Sequence, residues 1–242
     1  MKVHVGTSGY NYPEWKGTFY PDKLPAAKML AYYVERFSTV EINATFYRMP
    51  NAKTVAGWAT TASSGFTYVL KAPQRITHFA RLRNVHEPLR YFCDTARGLG
   101  DKLGPLLFQL PPNFKKASER LGELLSLLSL VPVGLRVAFE FRHESWFDEE
   151  VFALLRTYNA ALCVADTEEG STPAVAPADF GYLRLRAVEY SDADLKRWLE
   201  TIERVGAGWR DAFVFFKHED SGTGPALARR FVALREGSTP VV

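Results

Sequence analysis

Ala138-Phe-Glu-Phe-Arg-His-Glu-Ser-Trp146 reads as a strand that runs into a cluster of ionisable groups. Successive strand side chains point to opposite faces. Arg136, Ala138, Glu140 and Arg142 therefore share one face, and Val137, Phe139, Phe141 and His143 share the other. The second face is largely apolar and suits packing on helices. The first carries a carboxylate and a guanidinium toward whatever lies opposite. Burying such groups is costly unless they are paired or used. The fold therefore needs polar groups at that strand's end.

Working outward, short strand signals recur along the chain near Val3–Ser8, Thr39–Thr45, Thr67–Ala72, Pro105–Leu110, Leu135–Arg142, Ala161–Asp166, Gly181–Arg186 and Ala212–His218. Most are rich in β-branched or aromatic residues. Helical patterns separate them: Ala26–Phe37, Asn51 toward Trp58, Pro88–Leu99, Lys116–Leu130, Asp148–Tyr158, Asp192–Val205 and Pro225–Leu234. Asp148 and Ser191 or Asp192 suit N-caps, and Pro225 suits a first helical turn. The stretch Glu168–Ala178 holds two prolines and reads as a loop where a sixth helix would stand. Strand–helix alternation of this kind argues for a parallel α/β sheet, and eight strands fit a single (β/α)8 TIM-type barrel with an irregular sixth helix. An open doubly wound sheet is the alternative. No repeat or linker divides the chain, so residues 1–242 are read as one domain.

The 242 residues are 47% hydrophobic and 24% charged, an ordinary globular balance. A net charge of +3 is too small to imply nucleic acid by itself. Cys93 and Cys163 lack a CxxC spacing and read as buried free thiols, which suits a reducing compartment. The N-terminus enters a strand directly, without a secretory pattern, and no apolar run approaches the roughly 20 residues of a bilayer span. A cytoplasmic protein with no membrane partner is the expectation.

Ligands gather at the C-terminal ends of barrel strands. Read to their ends, the strands supply Glu41, Asn43 and Tyr47; Lys71 and His78; Gln109; Glu140, Arg142, His143 and Trp146; Asp166; Tyr182, Arg184 and Arg186; and Lys217 with His218. Glu41, Glu140, His143, Asp166 and His218 are the candidate acids, bases and proton carriers. Asn43, Tyr47, Lys71, His78, Gln109, Arg142, Trp146, Arg184, Arg186 and Lys217 are the candidate substrate contacts. Cations outnumber carboxylates in this set, which points to an anionic ligand, phosphate foremost. An internal ion-pair network would account for part of the same set. No HxH or HExxH spacing selects a metal, so a divalent ion stays an unassigned option and the cofactor is unknown from sequence. Gly6-Thr-Ser-Gly9 lacks the lysine and spacing of a P-loop, and no GxSxG elbow is present.

At these residues the chain resembles the domain of unknown function 72 family, also called YecE-like. The matches run in order along nearly the whole length. They are Gly6-Thr-Ser-Gly-Tyr10 with Trp15, Gly17 and Phe19-Tyr-Pro21; Thr39-Val-Glu-Ile-Asn43 with Thr45-Phe-Tyr-Arg48; Lys71-Ala-Pro73 with Ile76-Thr-His78; Leu103 through Pro112; Glu140-Phe-Arg-His143 with Ser145-Trp146; Asp166, Tyr182 and Arg184; and Phe216-Lys-His-Glu219. The resemblance implies a TIM-type barrel and no known reaction. It also exposes a departure: the family often ends strand seven with Arg-x-His-Gly, where this chain has Arg184-Leu-Arg186-Ala187.

Three functions are expected. The first is an enzyme acting on a phosphate-bearing substrate, a nucleic acid or a phosphosugar, with phosphoester hydrolysis as its reaction. The second is a carbohydrate-active enzyme using Glu41 and Glu140 as a carboxylate pair, which their burial against arginines would exclude. The third is a nucleic-acid binding protein without catalysis. The sequence is silent on oligomeric state.

Overall fold

The computed structural model describes residues 1–217 and 222–237. Eight parallel strands form the wall of a barrel: β1 Lys2–Thr7, β2 Thr39–Ile42, β3 Thr67–Lys71, β4 Leu103–Gln109, β5 Val137–Glu140, β6 Ala161–Thr167, β7 Phe180–Leu185 and β8 Asp211–Phe216. From β2 to β8 each strand pairs with its sequence neighbour, and β8 returns to pair with β1. Outside lie α1 Ala26–Val34, α2 Ala52–Thr61, α3 His86–Ala96, α4 Ser118–Leu130, α5 Glu149–Thr157, α6 Asp192–Val205 and α7 Thr223–Glu236. Between β6 and β7 the chain makes a two-residue strand, Gly170–Ser171, antiparallel to the end of β6. No helix forms there, as Pro173 and Pro177 foretold.

Helix starts follow local chemistry. The Asn51 side chain accepts from Thr54 N, Asp148 accepts from Val151 N, and Ser191 and Asp194 form a reciprocal capping box. Closure between β1 and β2 is narrow: a single parallel bridge joins Ser8 to Glu41, and Gly9 N donates to Glu41 O at 2.8 Å. Tyr33 of α1 fills the seam. Thr7 N donates to its hydroxyl at 2.9 Å, and that hydroxyl donates to Thr39 O at 3.1 Å. Gly6 permits the approach, because a Cβ there would lie 2.1 Å from Thr39 O.

The strand wall sorts side chains into two cores. Outward residues such as Val40, Leu70, Phe108, Phe139, Val164 and Leu183 pack under the helices. Inward residues Val69, Leu107, Ala138, Cys163, Tyr182, Phe213 and Phe215 fill the barrel. Both cysteines are free and buried. At the N-terminal end the interior closes with Arg136 donating to Asp211 at 2.7 Å and His4 stacked on Phe213. Among the described residues, no helix is long and apolar enough to cross a membrane.

Candidate site at the C-terminal mouth of the barrel

Inward alternation carries Glu41, Lys71, Gln109, Glu140 and Arg184 to one level at the C-terminal end, and all five are buried. Arg184 organises that level. Its Nη2 donates to Glu41 Oε1 at 2.8 Å, and its Nη1 donates to Glu140 Oε2 at 2.6 Å and to Gln109 Oε1 at 3.1 Å. Tyr182, one turn of the alternation below, donates to Glu41 Oε2 at 2.5 Å. Arg186 Nη2 donates to Glu140 Oε1 at 3.0 Å, and Arg142 Nε stands 3.9 Å from the same oxygen.

Both carboxylates are wholly buried and both are engaged by Arg184. Burial alone would raise the Glu140 carboxyl, but Arg184, Arg186 and Lys71 overcome that and hold it at about 2. Such a group does not donate protons at neutral pH. Burial and the Glu41 charge push the Tyr182 hydroxyl far above its ordinary value. The level is therefore a charge-compensated floor, and the burial of Glu41 and Glu140 against Arg184 counts against their use as a glycosidase carboxylate pair.

Above the floor the balance is positive. Lys71, Arg142, Arg186 and Lys217 carry cations to the mouth; Arg142 is 39% exposed and Arg186 13% along the side chain. Lys71 Nζ rests over the Phe46 ring, 4.1 Å from its centroid. His78 meets the same ring edge-on at 4.9 Å, and its Nδ1 is 2.9 Å from Thr77 Oγ1. Burial lowers the His78 imidazole, and Lys71, Arg142 and Arg81 lower it further. His78 sits on a π-helical turn, Arg75–Phe79, followed by Arg81, Leu82 and Asn84 with positive φ. Left-handed non-glycine residues in sequence are a strained arrangement that tends to accompany functional loops.

Local structure explains how these groups meet. β2 ends at Ile42, because Asn43 turns to helical backbone and opens the short helix Ala44–Tyr47. Thr45 Oγ1 bonds Lys71 O at 2.6 Å, tying that turn to the end of β3. Ser8 Oγ, Asn43 Oδ1, Arg184 Nε and Arg186 Nε are buried without partners. Polar atoms buried in that state call for a ligand or solvent partner.

Several sequence candidates lie elsewhere. Asp166 faces outward, since Ala161, Cys163 and Ala165 hold the inward positions of β6; it accepts from Ser171 Oγ at 2.5 Å and from the Tyr190 hydroxyl at 2.6 Å. Trp146 is fully buried between Phe141 and Phe114, with Nε1 donating to Phe114 O at 2.6 Å, so it packs rather than stacks on a ligand. His143 also follows the outward parity, and its Nδ1 accepts from Ser145 N at 3.2 Å as a local cap. Tyr47 is 74% exposed and lines a rim cavity of about 660 Å³ with Phe46, Arg48, Gln74, Arg75 and Phe79. His218 lies outside the described residues. Among the described residues, no cluster of His, Cys, Asp and Glu could hold a metal ion.

Sequence reasoning placed Tyr182 at a strand end without giving it a role, and it left Ser8 and Phe46 off the candidate set. Tyr182 shares the parity of Arg184 and Arg186, so the alternation carried its signal. Phe46 carried none, because its role arises from the turn at Asn43. A second cavity, about 670 Å³, opens at the N-terminal end beside Arg136 and Asp211; that end of a barrel serves stability.

A family model described as "Protein of unknown function DUF72" matches residues 4–240. The chain belongs to the DUF72 family. The UPF0759 protein YunF of Bacillus subtilis is 23% identical over 269 aligned positions, covering 96% of this chain and 94% of that protein. A DUF72 protein of Thermotoga maritima superposes with a TM-score of 0.86 at 26% identity, over 98% of this chain and all of that one. A DUF72 protein of Enterococcus faecalis, at 16% identity and a TM-score of 0.79 over 97% of this chain and 98% of that one, shares the fold. Arg186 adds a second guanidinium on Glu140.

Proposed function

We propose that the C-terminal mouth binds a phosphate-bearing substrate and that the protein is an enzyme acting on it, with phosphoester hydrolysis as the reaction to test. The observation that carries this reading is the excess of positive charge above a floor whose carboxylates are already engaged. Arg142 and Arg186 both approach Glu140, an anion already shared with Arg184, and Lys71 adds a further positive charge near them. A dianionic oxygen cluster would complete the balance and meet the donors in a forked geometry that guanidinium groups favour. The same cations would stabilise charge developing on phosphoryl oxygens.

His78 is the proton acceptor in this reading. Its depressed basicity keeps it neutral at physiological pH, and with Nδ1–H donating to Thr77 its Nε2 retains a lone pair. Glu41 and Glu140 act as positioning residues that hold Arg184 and Arg186 in place. The test is a hydrolysis assay on simple phosphomonoesters and phosphodiesters, run with and without added divalent metal. A kcat/KM profile that rises with pH through a midpoint below the ordinary histidine value, and that His78→Gln abolishes, is the expected result. Turnover unchanged by His78→Gln would remove the base assignment. No turnover combined with no phosphate affinity would remove the reading itself.

A second reading, single-stranded nucleic acid, draws on one observation. Tyr47 and Phe79 are each 74% exposed beside Arg48 and Arg75 on the rim. Exposed aromatics interleaved with arginine suit base stacking along a phosphate backbone. Binding of oligonucleotides with a steep loss of affinity on raising salt would favour it over a small phosphate ester.

A further inference from the structure

Lys71 is set apart from the other cations of the mouth. It ends β3 on the inward face, 8% exposed, so its side chain is sunk in the wall but retains contact with the opening. Buried lysines are ordinarily paired. The carboxylates at its level are instead engaged by Arg184, Arg186 and the Tyr182 hydroxyl. Its ammonium lies over the face of Phe46. Every element packed around it presents its charge: Glu41 from β2, Glu140 from β5, Arg184 from β7, Lys217 beyond β8, and His78 from the π-helical turn.

We propose that Lys71 is an amine nucleophile that forms a Schiff base with the carbonyl carbon of a small phosphate-bearing aldehyde or ketone, such as an open-chain sugar phosphate. This rests on the anion-binding reading above and narrows its substrate class. A desolvated lysine beside other cations is a recognised setting for imine chemistry. Burial lowers the Lys71 ammonium to about 8, with Arg184 and Lys217 also lowering it and Glu41 and Glu140 acting the other way. At neutral pH this leaves roughly 200- to 300-fold more free amine than on a surface lysine. The amine lone pair adds to the carbonyl carbon, and the carbonyl oxygen takes a proton to give a carbinolamine. Loss of that oxygen as water, with the nitrogen's second proton, leaves the C=N bond. Arg142 and Arg186 are placed to hold the substrate's phosphate meanwhile, and Phe46 shields one side of the amine.

Pyridoxal phosphate serves as the probe, because it couples an aldehyde to a phosphate. The intact protein is incubated with it, reduced with borohydride and mapped by peptide mass spectrometry. Expected is a reduced secondary amine concentrated on Lys71, slowed by inorganic phosphate and absent from that peptide in a folded Lys71→Arg variant. Modification spread over surface lysines with Lys71 unmodified overturns the proposal; if phosphate still raises the melting temperature in that case, the anion reading survives without it. Labelling of Lys71 by pyridoxal at the same rate as by its phosphate, with no competition by inorganic phosphate, overturns the phosphate half and the reading it rests on. The wild-type map decides between these outcomes even if the variant fails to fold.

Discussion

Arg184 reaches across the barrel and joins β2, β4 and β5 through one guanidinium. No other residue type offers that geometry: a lysine is a point charge and cannot fork between two carboxylates. Arg184→Met would leave Glu41 and Glu140 buried without their shared partner, which costs roughly 3–5 kcal/mol. Urea unfolding near neutral pH measures this, and Arg184→Lys should recover only part of it. A loss near zero would mean that the floor is not held by this ion pair. Glu140 gives the matching pH dependence. Its carboxyl stands near 4.5 when unexposed to these neighbours and at about 2 in the fold. The unfolded chain therefore takes up the proton first as pH falls. The stabilisation is complete above about 4.5 and declines as pH drops toward about 2. Glu140→Gln should lose stability at neutral pH and show a shallower acid decline in urea midpoints. An unchanged slope would contradict the assignment.

Residue-level legibility followed strand alternation where the two faces differed in polarity. Glu140 and Arg142 on one side, Phe139 and Phe141 on the other, left one choice for β5. Asp166 was not legible that way. Ala161, Cys163 and Ala165 face inward and Leu162 and Val164 outward, so both faces of β6 are apolar and differ only in size. Small residues inward, large ones toward the helices, was the signal available. Trp146 lies in a loop turn, where no period reports direction. Its burial depends on Phe114 and Phe141 meeting from two different segments.

At the scale of elements, the seam between β1 and β2 is the weakest join in the wall. Every other neighbouring pair shares a hydrogen-bonded ladder, whereas this one has a single bridge and the Tyr33 hydroxyl. Tyr33→Phe removes a buried, fully engaged hydroxyl and leaves Thr7 N and Thr39 O without it, at a cost of about 1–3 kcal/mol. Gly6→Ala forces a methyl group against Thr39 O and should part the strands. Amide hydrogen exchange would locate the effect: faster exchange at Thr7 and Gly9 than on β4 and β5. Uniform exchange across the barrel would show that the seam is no weaker than the rest. The strand count and the missing sixth helix were legible from periodicity and from Pro173 and Pro177. The early end of β2 was not, since Asn43 and Thr45 suit a strand by composition. They turn because Thr45 bonds the carbonyl of Lys71, a contact between distant segments.

Across the whole molecule, charge is divided by function. The N-terminal end pairs Arg136 with Asp211 and closes the interior. The C-terminal end spends its carboxylates on an internal floor and leaves cations toward solvent. The net charge of +3 conceals this division, so composition alone could not reveal the mouth. Strand ends read one by one did, because a parallel barrel brings every C-terminal end to the same side.

The central claim is that these cations form a single site for a phosphate group. Calorimetric titration of the intact protein with inorganic phosphate at low salt, repeated on Arg142→Gln, tests it directly. The expected result is saturable binding at one site, weakened roughly tenfold by loss of one charge-assisted contact and reduced further by added salt. Heat that never saturates, or affinity indifferent to Arg142, would contradict the account.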